Sequence, residues 1–178
     1  MQRNKTRDLA MMAFVLVLGL FSKRFVSPVT NILTDFFRIP GGSAAVGFSL
    51  AFLVIGRHMV SVPCAGTLMG FAQSVLALAL GMSGYQGVLA LITYTLPGAV
   101  IDLTALLPAD GLPGCILACV FSCLTSALMS NLLVFHLRGL SLVLWLLLAA
   151  LSGGIGGWLA QLVLERIKKA NLQGRTME

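Results

Sequence analysis

Charge is what this sequence has least of. Only 10% of its 178 residues are Asp, Glu, Lys or Arg, against about 25% in an ordinary soluble domain. Hydrophobic residues make up 58% of the chain and the mean hydropathy is +0.96. That balance excludes a soluble globular fold and implies an integral membrane protein. No polar tract is long enough for a separate soluble domain, so residues 1–178 read as a single transmembrane domain.

Other absences narrow the function. No Gly-x-x-x-x-Gly-Lys-Ser/Thr loop occurs, so any ATP-driven step belongs to a partner. The net charge of +6 is not gathered into the stripe that nucleic acid requires; it sits at the chain ends and in short loops. Cys115, Cys119 and Cys123 recur every four residues along one helical stripe, and Cys64 stands apart. Neither zinc spacing nor a disulfide follows, and the thiols read as packing residues, with no metal or cofactor expected. Arg3, Lys5 and Arg7 precede the apolar run Leu9–Leu20, yet no small-x-small cleavage site follows. The expectation is an uncleaved first span.

What the chain does have is long apolar runs. A span needs about 20 apolar residues. The runs predict an all-α bundle of about six spans near residues 8–26, 43–55, 63–80, 88–107, 115–135 and 140–164. Lys23 and Arg24 are placed to snorkel to the far interface. Between the first two runs lies Asp35–Ser43, reading Asp-Phe-Phe-Arg-Ile-Pro-Gly-Gly-Ser. This charged, helix-breaking segment cannot rest in hydrocarbon, and it reads as a lid over a small-molecule site. An even number of spans puts both termini on one side. Placing them in the cytoplasm sets Arg3, Lys5, Arg7, Arg57, Arg166, Lys168, Lys169 and Arg175 inside, the majority of the 12 basic residues. The lid then faces out, in a multi-pass membrane protein.

This orientation assigns depth to the polar residues. The outer half receives Asp35, Arg38, Tyr85, Gln86, Thr93, Tyr94, Asn131, His136, Arg138 and Trp145, and the inner half Arg57, His58, Asp102 and Asp110. Pro97 cannot donate to the carbonyl of Thr93, which is expected to be free about 8 Å below the outer end, at 1.5 Å per residue. Thr93, Tyr94 and Thr95 add hydroxyls beside it, a set that suits a flat polar heterocycle. The competing reading is a proline kink healed by a threonine hydroxyl or a water. Asn131 and Gln73 offer further polar walls, or interhelical hydrogen bonds. Trp145 lines the site or anchors the span at the interface. Asp102, the one acid within a span, is a candidate for proton coupling, or else for capping or pairing with Arg57.

Small residues recur at helical spacing: Gly66 and Gly70; Ala118, Ser122, Ser126 and Ser130; Ser152, Gly153, Gly156 and Gly157. Such stripes let helix backbones approach closely in lipid, or dock a second membrane protein. Gly81-Met82-Ser83-Gly84 matches the Gly-x-Ser-Gly of intramembrane rhomboid proteases, which makes Ser83 a nucleophile candidate. That chemistry needs a histidine on the last span, and there is none there. A non-enzymatic role is therefore expected, with the protease and a ligand-free membrane scaffold as the alternatives.

The segments Ile39-Pro-Gly-Gly-Ser43, Arg57…Pro63-Cys-Ala-Gly66 and Thr93-Tyr-Thr-Leu-Pro-Gly98, together with size, span count and external loop, carry a resemblance. The chain resembles the substrate-binding S components of energy-coupling-factor (ECF) vitamin transporters, nearest to the branch for thiamine and its precursors. The resemblance implies a binder without catalytic activity that captures a vitamin-like heterocycle from outside. It also implies delivery through a transmembrane T component driven by two cytoplasmic ATPases, with docking through span 1. Family members commonly use Ala-x-x-x-Ala there; this chain has Ala10-Met-Met-Ala13 with Gly19 beyond, a different spacing. The expected substrate residues are Asp35, Arg38, Gln73, Tyr85, Thr93, Tyr94, Asn131, His136 and Trp145, and the expected docking residues Ala10, Ala13 and Gly19. Arg38, Arg138 and His136 against the single acid Asp35 favour a neutral or anionic ligand over cationic thiamine.

Overall fold

The computed structural model describes residues 5–35, 42–60, 62–82, 84–108 and 111–175. The described residues are almost wholly helical, and no strand occurs among them. The described residues form six successive α-helices: α1 Lys5–Asp35, α2 Gly42–Met59, α3 Ala65–Ala79, α4 Ala90–Thr104, α5 Leu112–Ser130 and α6 Leu140–Arg175. A 3-10 turn, Gly84–Leu89, leads into α4, and a π-turn, Asn131–Phe135, ends α5. Among the described residues, four stretches are long and apolar enough to cross a membrane: Asp8–Val26, Gly87–Thr104, Leu112–Phe135 and Leu140–Ala170. The apolar parts of α2 and α3, Val46–Met59 and Ala65–Ala79, are shorter.

Boundaries differ from the expectation where charge interrupts an apolar run. Helix α1 continues through Lys23, Arg24 and Pro28 to Asp35, because single charges and one proline do not stop a helix whose other residues favour it. Helix α6 likewise passes Glu165 and ends at Arg175. Two helices thereby reach into the segment expected as a lid. Asp35 belongs to α1, and Gly42 and Ser43 open α2, while residues 36–41, Arg38 among them, lie outside the described residues.

Helix α2 is the hub, packing on each of the other five helices. Its Leu53 and Val54 are fully buried. Met12, Val15 and Leu16 of α1, Met69 of α3, Ile101 of α4, Cys119 of α5 and Ala149 of α6 share its core cluster. The three stripe cysteines are buried there as packing groups. Large apolar side chains such as Phe14, Phe25, Leu103 and Leu151 face outward, as they do in a bundle solvated by lipid.

The small-residue stripes are consumed inside this bundle. A Cβ on Gly66 would lie 2.7 Å from the Gly98 carbonyl oxygen, and one on Gly70 would lie 2.6 Å from that of Tyr94, so α3 and α4 meet backbone to backbone. Helix α6 presents two adjacent stripes to two neighbours. Ser152 and Gly156 meet Gly47 of α2, whereas Gly153 and Gly157 meet Val120 and Ile116 of α5. Close approach of this kind supplies the dispersion contacts that hold helices together in lipid. None of these glycines is left on an outer face for docking another protein.

Candidate functional site

Polar side chains sort to two ends of the bundle. The first end gathers the C-terminus of α2, the start of α3 and the C-terminus of α4. Cys64 takes a left-handed conformation (φ 56°) and supplies no cap for α3. The cap comes from α4. Asp102 accepts the Gly66 amide at 3.0 Å, the Thr67 amide at 2.7 Å and the Thr67 hydroxyl at 2.7 Å. Arg57 Nε of α2 lies 2.9 Å from the same carboxylate. A carboxylate at a helix N-terminus satisfies open N–H groups and faces the positive end of the helix dipole. The capping and pairing roles of Asp102 are thus both realised, and its oxygens are occupied by structural bonds. His58, also at this end, is exposed and turns Nδ1 to the Val54 carbonyl oxygen of its own helix at 2.9 Å. The first turns of α1 and α5 and the later turns of α6 share this end: α1 runs antiparallel to α2, with Val15 by Gly56 and Gly19 by Ser49 and Phe52, and Cys115 meets Gln161 at 3.4 Å.

The opposite half carries the expected binding residues. Gln73 of α3 is 1% exposed and donates to Ser49 of α2 at 2.7 Å. Thr93 is 2% exposed, and its hydroxyl makes a long bond of 3.4 Å to the Ala90 carbonyl oxygen. Thr95 is less buried overall, yet its hydroxyl oxygen is sealed from solvent with no partner among the described residues. Pro97 sits within α4, and its own carbonyl oxygen receives the Ser122 hydroxyl of α5 at 3.0 Å. A serine of the expected stripe thus serves the proline helix, at the Pro97 carbonyl rather than at the Thr93 carbonyl expected to be free.

Tyr94 faces α1. Lys23 Nζ donates to its hydroxyl and lies 4.2 Å from the centroid of its ring. Lys23 was expected to snorkel outward; it turns into the bundle, while its neighbour Arg24 is exposed. Adjacent residues on a helix point about 100° apart, so of two neighbouring cations at most one faces lipid squarely. That offset was the signal in the sequence.

Trp145 of α6 is 2% exposed and meets the Phe135 ring edge to face, 5.3 Å between centroids at 87°. Its indole N–H has no partner among the described residues, and its burial is unlike that of an interface anchor. Asn131 is committed locally. Its side-chain oxygen accepts the Leu137 amide at 2.7 Å, its Nδ2 donates to the Leu137 carbonyl oxygen at 3.3 Å, and its backbone carbonyl takes the His136 amide at 2.8 Å. Residues 131–137 are thereby folded into a closed turn, with His136 left-handed (φ 52°) and its ring exposed. For Asp35 and Tyr85 the backbone is described and the side chains are not; Arg38, Ser83 and Asp110 lie outside the described residues.

On α1, Ala10 and Ala13 are exposed among Leu9, Phe14 and Val17, whereas Gly19 is turned into the bundle, where a Cβ would lie 3.2 Å from that of Phe52. The three expected docking residues therefore do not share one face. No group of three His, Cys, Asp or Glu among the described residues could hold a metal ion.

Compared with protein-family models, with curated proteins and with solved structures, the chain matches none of them.

Proposed function

We propose that this chain is the substrate-binding S component of an ECF-type importer, a membrane-embedded, non-catalytic binder of a small vitamin-like heterocycle. In this reading the half that holds Gln73, Thr93, Tyr94, Thr95 and Trp145 faces out, and the Asp102 end with both termini faces the cytoplasm. One observation carries the reading. Two buried hydrogen-bonding atoms in that half, Thr95 Oγ1 and Trp145 Nε1, have no partner among the described residues. An unsatisfied buried donor costs about 1–3 kcal/mol, and a bound polar solute would recover that cost. Ala10 and Ala13, exposed on α1, are the residues offered to a T component, whose ATPases would supply the energy for release inside.

The test is a search for bound solute. Chain purified in detergent and dialysed against the small-molecule fraction of a host lysate is expected to retain one heterocycle, identified by mass spectrometry. Co-expression with a T component and its ATPases is expected to yield a complex that survives purification. A chain that retains no solute would overturn the reading.

A further inference from the structure

The Lys23–Tyr94 pair says something about the charge of that solute, on the premise of the binding role proposed above. Lys23 sits deep in α1, half-buried, with its ammonium turned to a residue of another helix. A cation held inside a bundle normally finds a carboxylate, since an uncompensated charge is costly to remove from water. Tyr94 supplies only a neutral oxygen and a ring face.

The described carboxylate side chains are at the wrong end to help. Asp8, Asp102 and Glu165 all belong to the end where α3 begins, and Asp102 is already held by Arg57 and Thr67. Asp35 lies about 18 Å further along α1 from Lys23, at 1.5 Å per residue. The other charged side chains described at the Lys23 end, Arg24 and Arg138, are basic as well.

The free valences here are donors. With Lys23 donating to the Tyr94 oxygen, the tyrosine's own O–H proton points elsewhere, and the ammonium keeps two N–H groups. The indole N–H of Trp145, in the same half, is a donor too. The ammonium and the phenol hydroxyl, donors side by side with no acceptor left between them, call for a ligand rich in acceptors and negative in charge.

We infer that the bound solute carries an anionic group, a carboxylate or a phosphate, and that Lys23 and Tyr94 receive it together. Lys23 provides the charge and Tyr94 orients it while donating its own hydroxyl. A cationic heterocycle would instead meet an uncompensated ammonium. A phospholipid phosphate has the same chemistry as a free anion, so the experiment must separate the two sources.

Wild type, Lys23→Met, Lys23→Arg and Tyr94→Phe are purified, dialysed against the small-molecule fraction of a host lysate, and extracted for mass spectrometry of solutes and lipids. Thermal melting checks that each variant is folded. The expected result is an acidic solute retained by wild type and by Lys23→Arg, and reduced about tenfold or more in Lys23→Met, as loss of a charged hydrogen bond implies. Tyr94→Phe is expected to lose about threefold, for one neutral hydrogen bond. If Lys23→Met does not fold, the contrast between Lys23→Arg and Tyr94→Phe carries the test. A retained solute without an acidic group, or an acid held equally by Lys23→Met, overturns this inference and leaves the binding role standing. Phospholipid recovered in place of a solute makes Lys23 a headgroup contact and overturns the inference, and recovery of neither removes the binding role with it.

Discussion

Asp102 on α4 closes the first turn of α3 by accepting both the amide and the hydroxyl of Thr67, at 2.7 Å each. The same carboxylate holds Arg57 of α2. One side chain thereby fastens three helices at one end of the bundle. Asp102→Asn keeps the shape and removes the charge, so it weakens the cap and strands Arg57. A loss of about 1–3 kcal/mol is expected, read as a lower melting temperature in detergent. Ligand retention at the opposite end should be unaffected, whereas Thr93→Val should reduce it.

Trp145 offers the reverse pattern. Replacing it with Phe removes an indole N–H that has no partner among the described residues. Removing an unsatisfied donor is close to neutral for stability, or slightly favourable. The ligand-free protein should therefore melt at the same temperature or higher, while solute affinity measured by equilibrium dialysis falls about tenfold. A drop in stability with affinity intact would mark Trp145 as a packing residue only.

Gly66 and Gly98 bring α3 and α4 into backbone contact, and a Cβ on Gly66 would lie 2.7 Å from the Gly98 carbonyl oxygen. Gly66→Leu must push the helices apart and should cost about 1–3 kcal/mol or more, as overpacking does. Gly154, one position outside the α6 stripes, has open space where its Cβ would be. Gly154→Leu should melt like wild type, and size-exclusion profiles of the two variants make the comparison direct.

Orientation can be read from the native cysteines. Cys64 is exposed at the start of α3, and Cys115, Cys119 and Cys123 are buried. A membrane-impermeant maleimide should therefore label the chain at one site. With the Asp102 end in the cytoplasm, labelling should appear only after cells are permeabilised, and labelling of intact cells would invert the proposed topology.

On α1, Ala10→Trp should impair transport while leaving solute binding unchanged, because Ala10 is on the outer face. Gly19→Leu should instead destabilise the chain, since that position packs against Phe52 and Ser49 of α2. Uptake assays with the full transporter, paired with melting curves, separate the two effects.

The helical bundle was legible because six apolar runs, separated by breakers, leave few alternatives in lipid. The dual role of Asp102 was also within reach, since Arg57 and Asp102 were assigned to the same depth. The stripe 152, 153, 156 and 157 was recognised as close packing, but not its division between two neighbours. That division depends on α6 lying in the corner between α2 and α5, which no local pattern encodes. Asn131 was read as a polar wall of the binding site, or else as an interhelical hydrogen bonder, and its side chain ties its own turn. Its partner at Leu137 becomes available only because the chain makes a π-turn and His136 turns left-handed. Lys23 was read as able to snorkel to the far interface, an account that fits any lysine near a span end and names no partner. Only the tertiary approach of Tyr94, 71 residues away, distinguishes it.

The double stripe on α6 also limits how the molecule can move. With glycines wedged against α2 on one side and α5 on the other, α6 cannot roll about its axis without driving Cα atoms into two neighbours at once. Helices α3 and α4 form a second tight unit, tied to the first by side-chain links such as Gln73–Ser49, Ser122–Pro97 and Arg57–Asp102. Links of that sort can be exchanged for water, whereas interlocked backbones cannot. Moving one block past the other would have to part those links and also lift Met69 and Ile101 out of the core they share with α2.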